Sequence, residues 1–115
     1  MSQDELFLLK PGFMDPQQPG AVFVCPDSIA IEGQLACLPE RARRLSVQRF
    51  DFPKPRAAVV RLLGSANQSL PLLIFGDDTP PPSDAQHHGA IAFTNDPKRI
   101  MEMLAERHGF PRLHH

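Results

Sequence analysis

Tryptophan and tyrosine are absent, and all eight aromatic residues are phenylalanine. Platforms that stack sugars or nucleobases draw mainly on Tyr and Trp, so that class of site is disfavoured. Strong charge of either sign is missing too. Twelve basic and 13 acidic residues leave a formal net charge of −1, which provides neither a basic surface for nucleic acid nor an acidic tail for a basic partner. No apolar run is long enough to cross a bilayer, and no charged-then-apolar signal segment opens the chain. The expectation is a cytoplasmic protein that binds neither nucleic acid nor membrane. Two cysteines make no disulfide framework, and a cytoplasm keeps thiols reduced. No Gly-rich phosphate loop, Ser-x-x-Lys pair or nucleophile elbow is present. His87-His88 follow Asp84, but adjacent histidines in a polar loop do not fix a coordination geometry, so no metal site is expected.

The chain has 115 residues, the size of one domain with one core. Its 13 prolines fall between apolar segments and read as stops rather than as disorder. Glu5 to Lys10 is a short, nearly continuous apolar run, which predicts a strand buried on both faces at the centre of a sheet. Pro11 to Gly20 has loop chemistry, and Ala21 to Val24 reads as a short extended piece. Pro26 suits the first position of a helix and Asp27 its first turn. Ile31, Leu35 and Leu38 form an apolar stripe that Pro39 ends. Leu45 to Phe52 alternates as a half-exposed strand. Arg56 to Leu63 is a short helix stopped by Gly64. Gln68 to Phe75 is a third strand that opens at Pro71. Residues 76–89 read as a polar loop, and Ala90 to Phe93 as a fourth strand. Asn95-Asp96-Pro97 starts a helix that runs to Gly109. The first two crossovers predict parallel neighbours, and the last two strands an antiparallel hairpin. The terminal His114-His115 carries no argument.

Cys25 is the residue with the most chemistry. A thiol attacks as its thiolate, and the free N–H groups and dipole of a helix N-terminus stabilise that anion. Ser28, one turn on, is placed to donate a hydrogen bond to the sulfur but cannot resolve a mixed disulfide, which needs a second thiol. Asp27 opposes the thiolate with its own charge. Cys37 lies twelve residues along the same helix, roughly 18 Å away, beyond the reach of a disulfide. It reads as a small buried apolar residue. Cys25 itself reads either as a reactive thiol or as a structural cysteine. Lys10 reads as a solvated strand end, or as an attractor of a ligand carboxylate.

The order strand, helix, strand, helix, strand, strand, helix resembles the thioredoxin fold in its glutaredoxin-like form, βαβαββα, an α/β domain with a mixed four-stranded sheet and helices on both faces. Cys25-Pro26-Asp27-Ser28 matches the Cys-x-x-Ser of that superfamily, Pro71 after Leu70 its cis-proline, and Asn95-Asp96 the segment where glutaredoxins hold one end of glutathione. The segments Leu8-Leu9-Lys10-Pro11-Gly12-Phe13, Ile31-Glu32-Gly33, Asn67 to Leu72 and Glu106 to Pro111 look like a small bacterial family of uncharacterised thioredoxin-like proteins. The resemblance implies a monothiol oxidoreductase with Cys25 as nucleophile and Ser28 beside it. Leu70-Pro71 would hold a peptide-like ligand backbone, and Lys10, Asn95 and Asp96 would meet a carboxylate or amine. No permanent cofactor is implied, and glutathione would be the small-thiol partner. The alternative is a redox-inactive binding or dimerisation module that uses the same groove, with a homodimer as its specific form.

Overall fold

The computed structural model describes residues 3–114; of the terminal pair set aside above, His115 lies outside them. The elements are β1 (Glu5–Leu9), α1 (Pro26–Cys37), α2 (Pro39–Ala42), β2 (Ser46–Phe50), α3 (Ala57–Leu63), β3 (Leu72–Ile74), β4 (Gln86–His88), β5 (Ile91–Thr94) and α4 (Pro97–His108). They build a mixed open sheet in the order β2-β1-β3-β5-β4. Among the described residues no helix is long and apolar enough to cross a membrane.

β1 sits inside the sheet because both of its faces are apolar. Leu6 and Leu8 point to one side and Phe7 to the other, as strand alternation requires. The first side packs Leu73 and Phe75 against Ile31 and Leu35 of α1 and against Ile100, Met103 and Leu104 of α4. The second packs Leu72, Ile74 and Phe93 against Val59 and Leu63 of α3. The molecule is thus an α/β domain with helices on both faces of the sheet. β2 takes an edge, as its half-exposed pattern allows.

Three expectations are corrected. The sheet has five strands, not four: Gln86-His87-His88, read as loop, pair antiparallel with Ile91–Phe93 as an exposed edge strand. Gly89 (φ 59°) stands at the first position of the two-residue turn, where a glycine suits a hairpin. The second crossover does not give a parallel neighbour. β2 runs parallel to β1, but β3 runs antiparallel to β1 and slots between β1 and β5. Its three residues are all buried and so need a strand on each side, whereas β2 does not. Cys37 is exposed rather than buried; it closes α1 at the solvent side, its Sγ 3.5 Å from the Gly33 carbonyl. The unbroken helix between Cys25 and Cys37 keeps both as free thiols.

The far end of the sheet is closed by a charged cluster. Asp4, immediately before β1, accepts the Arg107 guanidinium at 2.7 and 2.9 Å and the Gly76 amide at 2.8 Å, and shares a 2.7 Å bond with His108 Nε2. Burial would raise the Asp4 carboxyl. The bonds from His108, Arg107 and Gly76 outweigh it and, with the Arg107 charge, hold the group well below the usual carboxylate range. Arg107 also donates to the Thr79 and Pro80 carbonyls and lies over the Phe75 ring. It thereby ties α4, β3 and the following loop to the start of β1.

Candidate functional site

Strand register brings the predicted residues to one end of the sheet. Leu9 is paired with Phe50, so Lys10 and Asp51 leave β1 and β2 together and form a 3.1 Å ion pair. Phe7 is paired with Leu72 in antiparallel register, so Leu70 and Pro71 lie at the same end. Leu73 is paired with Thr94, and Asn95-Asp96 follow there too. Of the residues singled out in the sequence, Lys10, Cys25, Ser28, Leu70, Pro71, Asn95 and Asp96 therefore all belong to the loops and termini at this end. The Leu70–Pro71 bond is cis, as is Lys54–Pro55.

Cys25 is half-buried and is the N-cap of α1. Its Sγ accepts the Ser28 amide at 3.4 Å, in the way a capping side chain satisfies a free N–H of the first turn. The bond to the sulfur comes from the Ser28 backbone. The Ser28 hydroxyl, buried at 1% exposure, instead accepts the Leu9 amide at 3.2 Å and pins the helix start to the end of β1. The expectation of a hydroxyl donor is thus replaced by an amide donor, with the side chain holding the amide in place. Asp27 is exposed in the first turn.

The long segment before Cys25 folds back on itself. Phe13 and Phe23 form an antiparallel bridge, with N···O distances of 2.7 and 3.0 Å. Phe13 also stacks flat on Phe52, with centroids 4.5 Å apart and planes 5° apart. This aromatic stack fastens the cysteine loop to the end of β2. Along it, Met14, Val22 and Val24, with Ile29 on α1, remain exposed.

The other predicted contacts are engaged. Asp96 caps α4 through Oδ1, which accepts the Lys98 and Arg99 amides. The Asn95 backbone N–H donates to Gln86 Oε1 at 3.0 Å. Lys10 is half-exposed beside Asp51, which fits the solvated strand end. Among the described residues no three His, Cys, Asp or Glu side chains gather to hold a metal.

Sequence reasoning missed Arg56. It is the N-cap of α3 and is buried, donating to the Phe52 and Gln68 carbonyls at 2.7 Å each, while its amide donates to Gln68 Oε1. Burial pulls the guanidinium down from its ordinary value, and the charge of a Cys25 thiolate pushes it back up. A signal was available: a cation at a helix N-terminus opposes the macrodipole, and a local misfit of that kind marks a constrained position.

A model of a family described as protein of unknown function (DUF3088) matches residues 3–112. The chain belongs to that family. The match spans every element described above, including the Cys25 loop and the Arg107-His108 end of α4. No curated protein and no solved structure matches the chain.

Proposed function

We propose that this member of the family is a thioredoxin-like, monothiol oxidoreductase that exchanges disulfides with glutathione through Cys25. The observation that carries the reading is the sulfur itself, seated as the N-cap of α1 with an amide N–H directed at it. A thiolate there is stabilised by the unpaired amides and the helix dipole. Setting aside β4 and the single-turn α2, the order strand, helix, strand, helix, strand, strand, helix supports a glutaredoxin-like core. The convergence of Leu70-Pro71 and Asn95-Asp96 on the same sheet end supports a groove for a peptide-like thiol.

In the proposed reaction the Cys25 thiolate attacks the glutathione sulfur of a mixed disulfide. A Cys25–glutathione bond forms, the old S–S bond breaks, and the departing thiolate takes a proton from water. The thiolate of a second glutathione then attacks the glutathione sulfur on Cys25. Oxidised glutathione leaves and the Cys25 thiolate returns, so one free glutathione thiol is consumed and its sulfur ends in the disulfide that replaces the substrate's. Ser28 holds the helix start through its hydroxyl and faces the sulfur with its amide. Cys37, at the other end of α1, takes no part.

The test is a glutathione-coupled assay on a small mixed disulfide. Wild type and Cys37→Ser are expected to turn over alike, and Cys25→Ser to lose all turnover above the uncatalysed rate. Equal rates for wild type and Cys25→Ser contradict the reading. The second reading, a redox-inactive binding or dimerisation module, is favoured by the apolar side chains beside the thiol. Met14 is 74% exposed and Val22 68%, large values for apolar residues flanking one loop. That reading expects no turnover from wild type in the same assay.

A further inference from the structure

Arg56 is a buried cation whose bonds go only to neutral groups. It is 9% exposed, and its two terminal nitrogens are used on the Phe52 and Gln68 carbonyls. Its Nε is buried with no hydrogen-bond partner. Among the described residues no carboxylate forms an ion pair with it. A desolvated charge is strongly unfavourable unless an opposite charge compensates it, and the N-terminus of α3 adds a dipole of the wrong sign.

The groups around the site narrow the compensating charge to one. Lys10 and Asp51 neutralise each other at the ends of β1 and β2. Asp96 is committed to capping α4. Asp27 is exposed to solvent on the first turn of α1, and Lys54, in the loop before Arg56, is exposed and of the wrong sign. Asp15, in the loop before Cys25, accepts the Gln17 amide at 2.9 Å and forms no ion pair with Arg56 among the described residues. What remains is the Cys25 sulfur. The two residues are joined through packed groups: Arg56 holds the Phe52 carbonyl, the Phe52 ring stacks on Phe13, and Phe13 is bridged to Phe23, two residues before Cys25. The charge of a Cys25 thiolate acts favourably on the guanidinium.

We propose that Arg56 is the counter-charge of the Cys25 thiolate, a positioning residue that holds the sulfur in its reactive, anionic state. The inference rests on the reading of Cys25 as the nucleophile. The two carbonyl bonds fix the guanidinium in place, so its charge is preorganised rather than recruited by substrate.

The experiment uses the full chain carrying Cys37→Ser, so that Cys25 is the one thiol, and follows the rate of alkylation by iodoacetamide against pH. Arg56→Gln is expected to move the midpoint of the profile to higher pH and to slow the reaction near neutrality by about tenfold, the consequence of a one-unit move. Arg56→Lys keeps the charge without the planar fork and is expected to stay close to the parent. A merely structural role for Arg56 would lower stability in both variants and leave the midpoint in place. An unmoved midpoint in Arg56→Gln, with the parent profile below that of an ordinary thiol, overturns the counter-charge and leaves the nucleophile standing. An ordinary thiol profile in the parent overturns both. Should Arg56→Gln fail to fold, the wild-type chain supplies an independent readout. The NMR resonance of the Arg56 Nε–H is expected to shift through the Cys25 midpoint and to stay flat in Cys25→Ser; a resonance flat in both overturns the inference.

Discussion

Replacing Asp4 with alanine is expected to cost about 3–5 kcal/mol, the range for removing one partner of a buried ion pair. The Asp4 side chain is 3% exposed and that of Arg107 9%. Alanine would strand the Arg107 charge, leave the Gly76 amide without its acceptor and free the end of α4. The double variant Asp4→Ala/Arg107→Ala is expected to cost less than the sum of the two single variants, because the stranded charge is then gone. Urea unfolding of the three variants gives both numbers. The same carboxylate sets an acid limit. Its folded-state value is held below the ordinary 3.8. A group with a depressed value binds fewer protons when folded than when unfolded. Its contribution is therefore complete above about pH 4 and is lost as the pH falls further, because protonation then favours the unfolded chain. Wild type should lose stability steeply in that range, and Asp4→Ala should show a shallower slope.

Phe7→Ala is expected to cost about 3–5 kcal/mol, the range for a buried phenylalanine truncated in a core. Phe7 is 1% exposed and joins β1 to the α3 side of the sheet, with the Phe50 ring at 5.0 Å. Its loss opens a cavity among Val59, Leu63, Leu72 and Phe93 that rigid strands on both sides cannot close. The expected fall in Tm is on the order of 12–20 °C. A fall of only a few degrees would show that α3 settles into the space. That outcome would matter for the site, because Arg56 sits at the head of α3.

The elements whose ends are set by local chemistry were legible in the sequence. Pro26 and Pro97 open α1 and α4 at their first positions, and Gly64 and Gly109 stand at the C-caps of α3 and α4 with positive φ. The central place of β1 was legible because its apolar run has no polar face. β4 was not, because Gln86-His87-His88 is polar throughout and is held by its pairing to β5 rather than by burial. The Asp4, Arg107 and His108 cluster was hidden for a different reason. Asp4 lies more than one hundred residues from Arg107 and His108, and no local pattern links it to them. Within the site, the capping geometry of Cys25 followed from Pro26 and the helix pattern. The role of Ser28 did not, since the choice between sulfur and the Leu9 amide depends on how α1 docks against β1. Arg56 has no periodicity to mark it, and its one local cue is a charge that opposes the α3 dipole. Only its burial shows that its charge has been taken out of water.

The most direct measurement of the central claim is the reaction of the reduced chain with oxidised glutathione, followed by intact mass and peptide mapping at neutral pH. Cys25 is half-buried and Cys37 exposed, so accessibility alone favours Cys37. The account predicts the reverse: the glutathione adduct forms first and predominantly on Cys25, and fresh glutathione removes it. An adduct that accumulates on Cys37 while Cys25 stays free would contradict the account, because the helix N-terminus and the buried arginine would then confer no reactivity on the Cys25 sulfur.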